Sequence, residues 1–364
     1  MANRTEPMLA SYLHARGERL GIPISGTFEL TARCNFSCPM CYVHLRNARQ
    51  EDELTAQQWL DLARQTKEQG MIFVLLTGGE PFVRKDFFEI YRGMKAMGLM
   101  ISINTNASML TEEILEKLLQ DPPFRVNISL YGGCAETYRK MCGVDAFTQV
   151  TQTIRMLKTA GVDVRLSYSI TPYNRQDMER IFAISRELDV HIKASSYMYP
   201  PIRVEGLGAT CNRLTAEESA AASVEWELLQ LGQEQMRQRS RIMAELPQRD
   251  CPTDLDEGVG CRAGSTSLWL TWDGRMLPCG MMPGPVAYPL ETGFSQAWEQ
   301  IREAVKQIKL PRACAVCSKR KMCCVCASVC VAETGAFDGV PEYVCRRTEA
   351  ISKLMQAYAT EENK

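Results

Sequence analysis

Residues 27–45, "TFELTARCNFSCPMCYVHL", place three cysteines within eight residues, directly after a short apolar run. The run has the composition of a buried strand, so Cys34, Cys38 and Cys41 are expected on the loop that follows it. Three thiolates on one loop can bind three irons of a [4Fe–4S] cube and leave the fourth iron open. A zinc site completed by His44 is the alternative, although structural zinc sites usually pair two CxxC-like elements.

The first 200 residues alternate between apolar runs and amphipathic segments. The runs are rich in Val, Ile, Leu and Phe, as strands buried on both faces are. The segments predict helices at 55–70, with a Thr55–Gln58 capping box, at 86–98 and at 148–161. Six strand–helix units predict an α/β fold, a partial (β/α)6 TIM-like barrel with its active site at the carboxyl ends of the strands. The predicted strands are residues 27–31, 71–77, 100–105, 125–130, 164–170 and 190–194.

Composition narrows the functional classes. The formal net charge of −1 gives no global case for binding nucleic acid, and no apolar run is long enough for a membrane span. The N-terminus lacks the pattern of a signal peptide, which predicts a cytoplasmic protein. Sixteen cysteines in a reducing compartment favour metal binding over disulfides.

The pattern along the chain predicts four parts. Residues 1–25 are an N-terminal extension, residues 26–200 the barrel, residues 201–250 a helical linker and residues 251–364 a cysteine-rich region with a C-terminal helix. Within the linker, residues 215–243 are expected to form one long polar helix.

A CxxxCxxC loop after the first strand resembles the radical S-adenosylmethionine (SAM) superfamily, with Met40 where that family usually has an aromatic residue. The run "LLTGGEP", after the second predicted strand, resembles the superfamily's second motif. The resemblance implies that backbone groups and the nearby carboxylate of this run bind the SAM ammonium. Alone, the run would be a turn, and the weaker positions could be strand-end caps. The implied SAM-binding residues are Met40, Gly78, Gly79, Glu80, Pro81 and, more weakly, Asn104, Asn106 and Ser129.

The C-terminal cysteines resemble the SPASM domain of peptide-modifying radical SAM enzymes, which binds two auxiliary [4Fe–4S] clusters. The implied cofactors are therefore SAM and three [4Fe–4S] clusters. The family usually has three residues between its fifth and sixth cysteines, but Cys323 and Cys326 enclose two, so Cys324 and Cys330 are rival ligands. The implied ligands are Cys251, Cys261, Cys279 and Cys326 for the first auxiliary cluster, and Cys314, Cys317, Cys323 and Cys345 for the second. Buried inert thiols are the expectation for the remaining cysteines, Cys134, Cys142, Cys211, Cys324 and Cys330.

The resemblance implies an anaerobic oxidoreductase that uses a 5′-deoxyadenosyl radical to abstract hydrogen from a peptide or protein. Thioether or carbon–carbon crosslinks and oxidations of ribosomally made peptides are the implied modifications, with an electron donor such as ferredoxin or flavodoxin. An anaerobic sulfatase-maturing enzyme is disfavoured, because that branch has an acid where this chain has Gly280. Further alternatives are a small-molecule SPASM oxidoreductase and a non-enzymatic iron–sulfur electron carrier. Two roles are open for the segment 197–199, "YMY": lining of a substrate channel, or packing under the linker, which is the favoured prediction.

The reconstituted chain is expected to hold about twelve irons, because three cubes take one cysteine thiolate per ligated iron. Triple substitution of Cys34, Cys38 and Cys41 by Ala should leave two clusters, as measured by iron and sulfide analysis. One cluster in the intact chain would contradict the SPASM resemblance. Loss of a cluster in Cys251→Ala would support Cys251 as a ligand of the first auxiliary cluster. Loss of a cluster in Cys211→Ala instead would show that Cys211 is the ligand.

Overall fold

Eight strands form one sheet, in the order β6-β5-β4-β3-β2-β1-β7-β8. The computed structural model describes residues 6–41, 49–200, 212–245 and 258–360. All six predicted strands are present, each paired in parallel with its neighbour in sequence. This confirms the predicted α/β fold with a parallel barrel-like sheet. The six strands are β1 Ser25–Glu29, β2 Phe73–Thr77, β3 Met100–Thr105, β4 Arg125–Ser129, β5 Val164–Ser169 and β6 His191–Ser195.

Helices connect the strands and cover the outer face of the sheet. Helix α2 has the predicted capping box, in which the Thr55 side chain accepts from Gln58 N and Gln58 accepts from Thr55 N. Apolar residues on alternate strand positions, such as Phe28, Leu76 and Ile103, are fully buried against these helices. The barrel helices are α2 Ala56–Glu68, α3 Phe87–Ala96, α4 Glu112–Leu119, α5 Ala135–Cys142, α6 Phe147–Thr159 and α7 Met178–Glu187, preceded by α1 Glu6–Leu20.

The sheet extends beyond the six predicted strands. Strand β7, Ser267–Leu270, pairs in parallel with β1, and β8, Met276–Leu277, pairs antiparallel with β7. Asp273 and Gly274 form the hairpin turn between them, with Gly274 at φ +86°. The cysteine-rich region therefore contributes strands to the barrel sheet, and the sequence missed this because β7 pairs with a strand some 240 positions earlier.

The predicted linker helix and the C-terminal helix pack together. Helix α8, Ala216–Glu245, is interrupted at Gly232, where φ is +75°. Helix α13, Glu342–Thr360, packs against it through a small cluster of Val224, Met236 and Met355. The remaining helices are α9 Pro289–Thr292, α10 Phe294–Lys306, α11 Arg312–Ala315 and α12 Ala327–Thr334. Within the ranges described, no helix has both the length and the apolarity that crossing a bilayer requires.

Candidate functional site

A cavity of about 470 Å³ lies at the carboxyl ends of the barrel strands. Cys34, Cys38 and Cys41 line it together with the Gly78–Gly79 turn, so the structure brings both sequence motifs to one place. The volume lies within the range of about 300–1,000 Å³ that small-molecule sites occupy. Of the other predicted SAM contacts, those that line this cavity are Met40, Asn104, Asn106 and Ser129.

The glycines of the turn hold the cysteine loop in place by close backbone contact. Gly79 N donates to Thr31 O at 2.8 Å, and Glu80 N donates to Arg33 O at 2.9 Å. A Cβ on Gly79 would lie 2.3 Å from Arg33 O, and one on Gly78 would lie 2.5 Å from Thr31 O. Glycine is therefore required by the approach of the backbone that leads into Cys34, whatever else these residues bind.

Glu80 and Pro81 are buried beside the cavity and do not line it. The Glu80 carboxylate is fully buried and accepts hydrogen bonds from Phe82 N at 3.2 Å, Thr105 Oγ1 at 2.8 Å and Asn106 N at 2.7 Å. Burial raises the pKa of Glu80 to about 7, against the opposing effect of these donors. The carboxylate thus joins the ends of β2 and β3, and its contact with SAM stays a prediction.

A buried ion network fixes the start of the cysteine loop. Glu53 accepts from Arg33 Nε at 2.9 Å and pairs with Arg84 at 3.4 Å. Arg84 also donates to Leu30 O at 2.8 Å and pairs with Asp86 at 2.7 Å. Side chains buried and paired in this way keep one conformation, so the end of β1 is held rigidly beneath the thiols.

Polar side chains complete the lining, and the sequence reasoning predicted some of them and missed others. Asn106 Nδ2 donates to Asn35 Oδ1 at 2.9 Å, and Asn127 Nδ2 donates to Asn104 Oδ1 at 2.8 Å. Asn106 Nδ2 also lies 3.9 Å from Cys34 Sγ. The sequence signal for these lining residues is a small polar residue at every second position near the end of a strand. Alternate residues of a strand point to the same face of the sheet, so such residues face one cavity together. The additional lining residues of this kind are Thr77, Asn127, Ser167, Ser169 and Ser195.

The segment after β6 lines the same cavity. Tyr197, Met198 and Tyr199 all border it, although the sequence favoured packing beneath the linker. Tyr197 donates from its hydroxyl to Glu333 Oε1 at 2.8 Å, and the Tyr199 hydroxyl lies 3.2 Å from Ser328 Oγ. Both tyrosines are therefore anchored to helix α12.

Three predicted ligands of the first auxiliary cluster lie around Tyr199 and β7. Cys261 and Cys279 line a cavity of about 1050 Å³ below β1 and β7. Cys326 Sγ is 3.1 Å from Ser328 Oγ, and burial together with the thiol of Cys326 raises the pKa of Tyr199. The fourth predicted ligand, Cys251, lies outside the described residues, so this set stays a prediction.

The four predicted ligands of the second auxiliary cluster share one small cavity. Cys314, Cys317, Cys323 and Cys345 all line a space of about 170 Å³, with Lys319 and Arg320 at its edge. Lys319 pairs with Glu349, another lining residue, at 2.5 Å, so its charge is already balanced within the protein. Of the rivals, Cys324 lines a different cavity and is exposed, so the expectation of a buried thiol is wrong there. Cys330 is fully buried and packs beside Cys314, but it does not line this cavity.

The chemistry of these sites fits [4Fe–4S] clusters. Backbone N–H groups point at predicted ligand sulfurs in the same way at two sites, from Phe36 to Cys34 at 3.3 Å and from Met281 to Cys279 at 3.4 Å. Such hydrogen bonds tune cluster potentials. In the described part of the chain, no three metal-binding side chains are close enough to hold a single ion.

Of the cysteines without a predicted ligand role, Cys142 is buried next to Cys38, and Cys134 is half-buried at the start of α5. Cys211 lies outside the described residues.

Gly79→Ala is expected to destabilise the fold by about 1–3 kcal/mol, because the new methyl group overlaps the Arg33 carbonyl. Displacement of the loop should also lower the iron retained by the first cluster. The matched control is Gly258→Ala, whose Cβ would have its nearest neighbour at 3.5 Å. Denaturant unfolding and iron analysis measure both variants; equal behaviour would contradict the close-contact argument.

Cys323→Ala should lose about four irons, because it opens the ligand set of one cube, whereas Cys324→Ala should keep its full iron content. Iron analysis after anaerobic reconstitution distinguishes the two variants. The reverse pattern would exchange the assignments of these adjacent cysteines.

Comparison with known sequences matches the barrel region of this chain to a known family. Residues 28–184 match the model of the Radical SAM superfamily. The chain is 24% identical over 335 residues to AdoMet-dependent heme synthase of Methanosarcina barkeri, which covers 85% of this chain and 93% of that protein. It is 34% identical over 178 residues to a probable GTP 3′,8-cyclase of Saccharolobus islandicus, so it matches only 57% of that protein's length and 48% of its own.

Solved structures share the fold over nearly the whole chain. Streptococcus suis SuiB bound to precursor peptide SuiA superposes with a TM-score of 0.67 at 16% identity, covering 95% of this chain and 82% of SuiB. Native anSMEcpe with bound AdoMet superposes with a TM-score of 0.66 at 13% identity, and the match covers 91% of this chain and 96% of anSMEcpe. Residues 28–184 therefore form a domain that matches the Radical SAM superfamily, and the chain as a whole shares the fold of SuiB and anSMEcpe.

Proposed function

We propose that this enzyme abstracts hydrogen from a peptide or protein substrate held in the 470 Å³ cavity and leaves the substrate modified by oxidation. The observation that carries the proposal is the convergence on one cavity of the cysteine loop, the glycine turn and Tyr197–Tyr199. Tyr199 lies beside Cys326, a predicted ligand of the first auxiliary cluster.

Cys34, Cys38 and Cys41 would hold a [4Fe–4S] cluster, which together with SAM supplies a 5′-deoxyadenosyl radical to the site. The Gly78–Gly79 turn lines the cavity, where the lack of side chains lets the amino-acid part of SAM approach the backbone. Asn104, Asn106 and Ser129 offer donors and acceptors to its polar groups. The anchored tyrosines restrict water at the substrate side of the cavity.

Two lines of support favour a peptide as the substrate. The folds that superpose on this chain include SuiB with its precursor peptide and anSMEcpe with bound peptides. In addition, the cavity is bordered by Met198 and Met281, whose flexible side chains adapt to varied partners. Three [4Fe–4S] clusters and a reducing partner such as ferredoxin or flavodoxin belong to the same proposal.

Sulfatase maturation is less well supported by the local geometry at Gly280. A Cβ on this residue would lie 2.6 Å from the Trp269 ring, whose Nε1 donates to Glu29 at 2.6 Å. The indole therefore fills the space in which an acidic side chain at position 280 would begin.

A small molecule is the second candidate substrate, as for a small-molecule SPASM oxidoreductase. Its support is the AdoMet-dependent heme synthase, which this chain matches along 93% of that protein's length, unlike the partial match to the cyclases.

Cys38→Ala should abolish 5′-deoxyadenosine formation from SAM under dithionite, because two loop thiols cannot seat the cube with an open iron. Cys134→Ala is the control, since this thiol does not line the cavity. Near-normal cleavage by Cys38→Ala would contradict the assignment.

Mass spectrometry of candidate substrates distinguishes the proposed reactions. A precursor peptide encoded beside this gene should lose two hydrogens on incubation with SAM and reductant, because a crosslink or oxidation removes them. A sulfatase-derived Cys/Ser peptide should remain unchanged. Formylglycine on the sulfatase peptide would reverse the ranking, and conversion of neither peptide would favour the small-molecule candidate.

A further inference from the structure

A second cavity, of about 300 Å³, adjoins the proposed substrate site. It shares Ser195, Tyr197 and Tyr199 with the 470 Å³ cavity, so the two spaces meet at the end of β6. Part of its wall is apolar, formed by Ile170, Trp226 and Val329. Its polar end is formed by Ser196, Cys324 and Arg347.

Arg347 places a buried positive charge at this end of the cavity. Only 9% of the residue is exposed. Its guanidinium donates to Ser219 Oγ at 2.9 Å and Ser196 Oγ at 3.2 Å, and Nη1 lies 4.0 Å from Cys324 Sγ. All of these partners are neutral hydroxyls or a thiol, and no carboxylate of the described residues pairs with Arg347.

This arrangement differs from those of comparable arginines in the chain. Arg84, the other arginine buried among the described residues, pairs with Glu53 and Asp86. Arg346, the neighbour of Arg347, pairs with Glu217 at the surface. Burying a charge without a counter-charge is strongly unfavourable, so a buried guanidinium facing a cavity is suited to an anion supplied by a ligand.

We propose that this cavity is a subsite for a carboxylate group of the substrate, bound by Arg347 and Ser196. The planar guanidinium matches a carboxylate, and one positive charge balances one negative charge, whereas a phosphate dianion would keep excess charge. The apolar wall suits the carbon chain next to the carboxylate. The inference rests on the proposed function, since it anchors the substrate whose other end reaches the 470 Å³ cavity.

Cys324 provides a direct reporter of this subsite, because its thiol lies beside Arg347 and also lines the cavity. Iodoacetate and iodoacetamide are nearly equal in size, and each alkylates a thiolate by forming a C–S bond with release of iodide. Only iodoacetate carries a carboxylate. The ratio of their alkylation rates at Cys324 therefore measures recognition of the carboxylate. The intrinsic reactivity of the thiol affects both rates equally and does not change the ratio.

The experiment labels the reconstituted holoenzyme anaerobically and quantifies Cys324 by peptide mass spectrometry. Arg347→Gln should lower the iodoacetate-to-iodoacetamide ratio about tenfold, the effect of losing one charge-assisted hydrogen bond. Arg346→Gln removes the same charge one residue away and should leave the ratio unchanged. Arg347→Lys should give an intermediate ratio, because lysine keeps the positive charge but lacks the paired N–H donors of the guanidinium.

Competition in the unaltered enzyme keeps the test independent of any folding defect. 3-Phenylpropionate should protect Cys324 from iodoacetamide, and 3-phenylpropionamide should not. The second pair is a hexapeptide amide that contains Asp and the same peptide with Asn in its place. Protection by the Asp peptide would indicate that the carboxylate belongs to a peptide, whereas protection by 3-phenylpropionate alone would indicate a small acid. The subsite is supported if either carboxylate compound protects Cys324 better than its neutral amide counterpart does. Equal protection within both pairs, or an unchanged ratio in Arg347→Gln, would overturn it. The labelling needs no turnover, so its failure is separable from failure of SAM cleavage.

Discussion

The backbone contact between the Gly78–Gly79 turn and residues 31–33 is the constraint on which the site depends. It binds the end of β2 to the segment entering the cysteine loop at a separation that leaves no room for a side chain. Glu80 extends the same connection to β3 through Asn106 N. Three strand ends are thus held as one unit, which gives the thiols and the polar lining a common rigid base.

Buried charge is used differently in the two halves of this site. Around the cysteine loop, Glu53 and Arg84 satisfy each other, so that the network stabilises local geometry and leaves no charge for a ligand. At the end of β6, the partners of Arg347 among the described residues are all neutral. The first arrangement positions the proposed cofactor site, and the second is the proposed carboxylate subsite.

The C-terminal region relies on the barrel for part of its order. Strand β7 is hydrogen-bonded to β1, and Trp269 on β7 reaches Glu29 on β1. Farther along, the core around Cys314, Val325 and Cys330 is small. A region with so little apolar core gains much of its stability from bound metal when clusters are present.

The sequence by itself determined the six parallel strands, the capped helix α2 and the two motifs that meet at the cavity. These features are local, since strand composition, capping and cysteine spacing are each legible within a short window. It also singled out the four cysteines that share the 170 Å³ cavity, through their resemblance to a known family.

Only the tertiary structure decided which side chains face the cavity and which are buried behind it. It joined Glu80 to the end of β3, brought Tyr197 and Tyr199 to the 470 Å³ cavity, and added β7 to the sheet. It also set Arg347 beside Ser196 and Ser219, from which it is separated by more than a hundred positions. Contacts between residues so distant in sequence arise from packing of whole elements, and no short pattern encodes them.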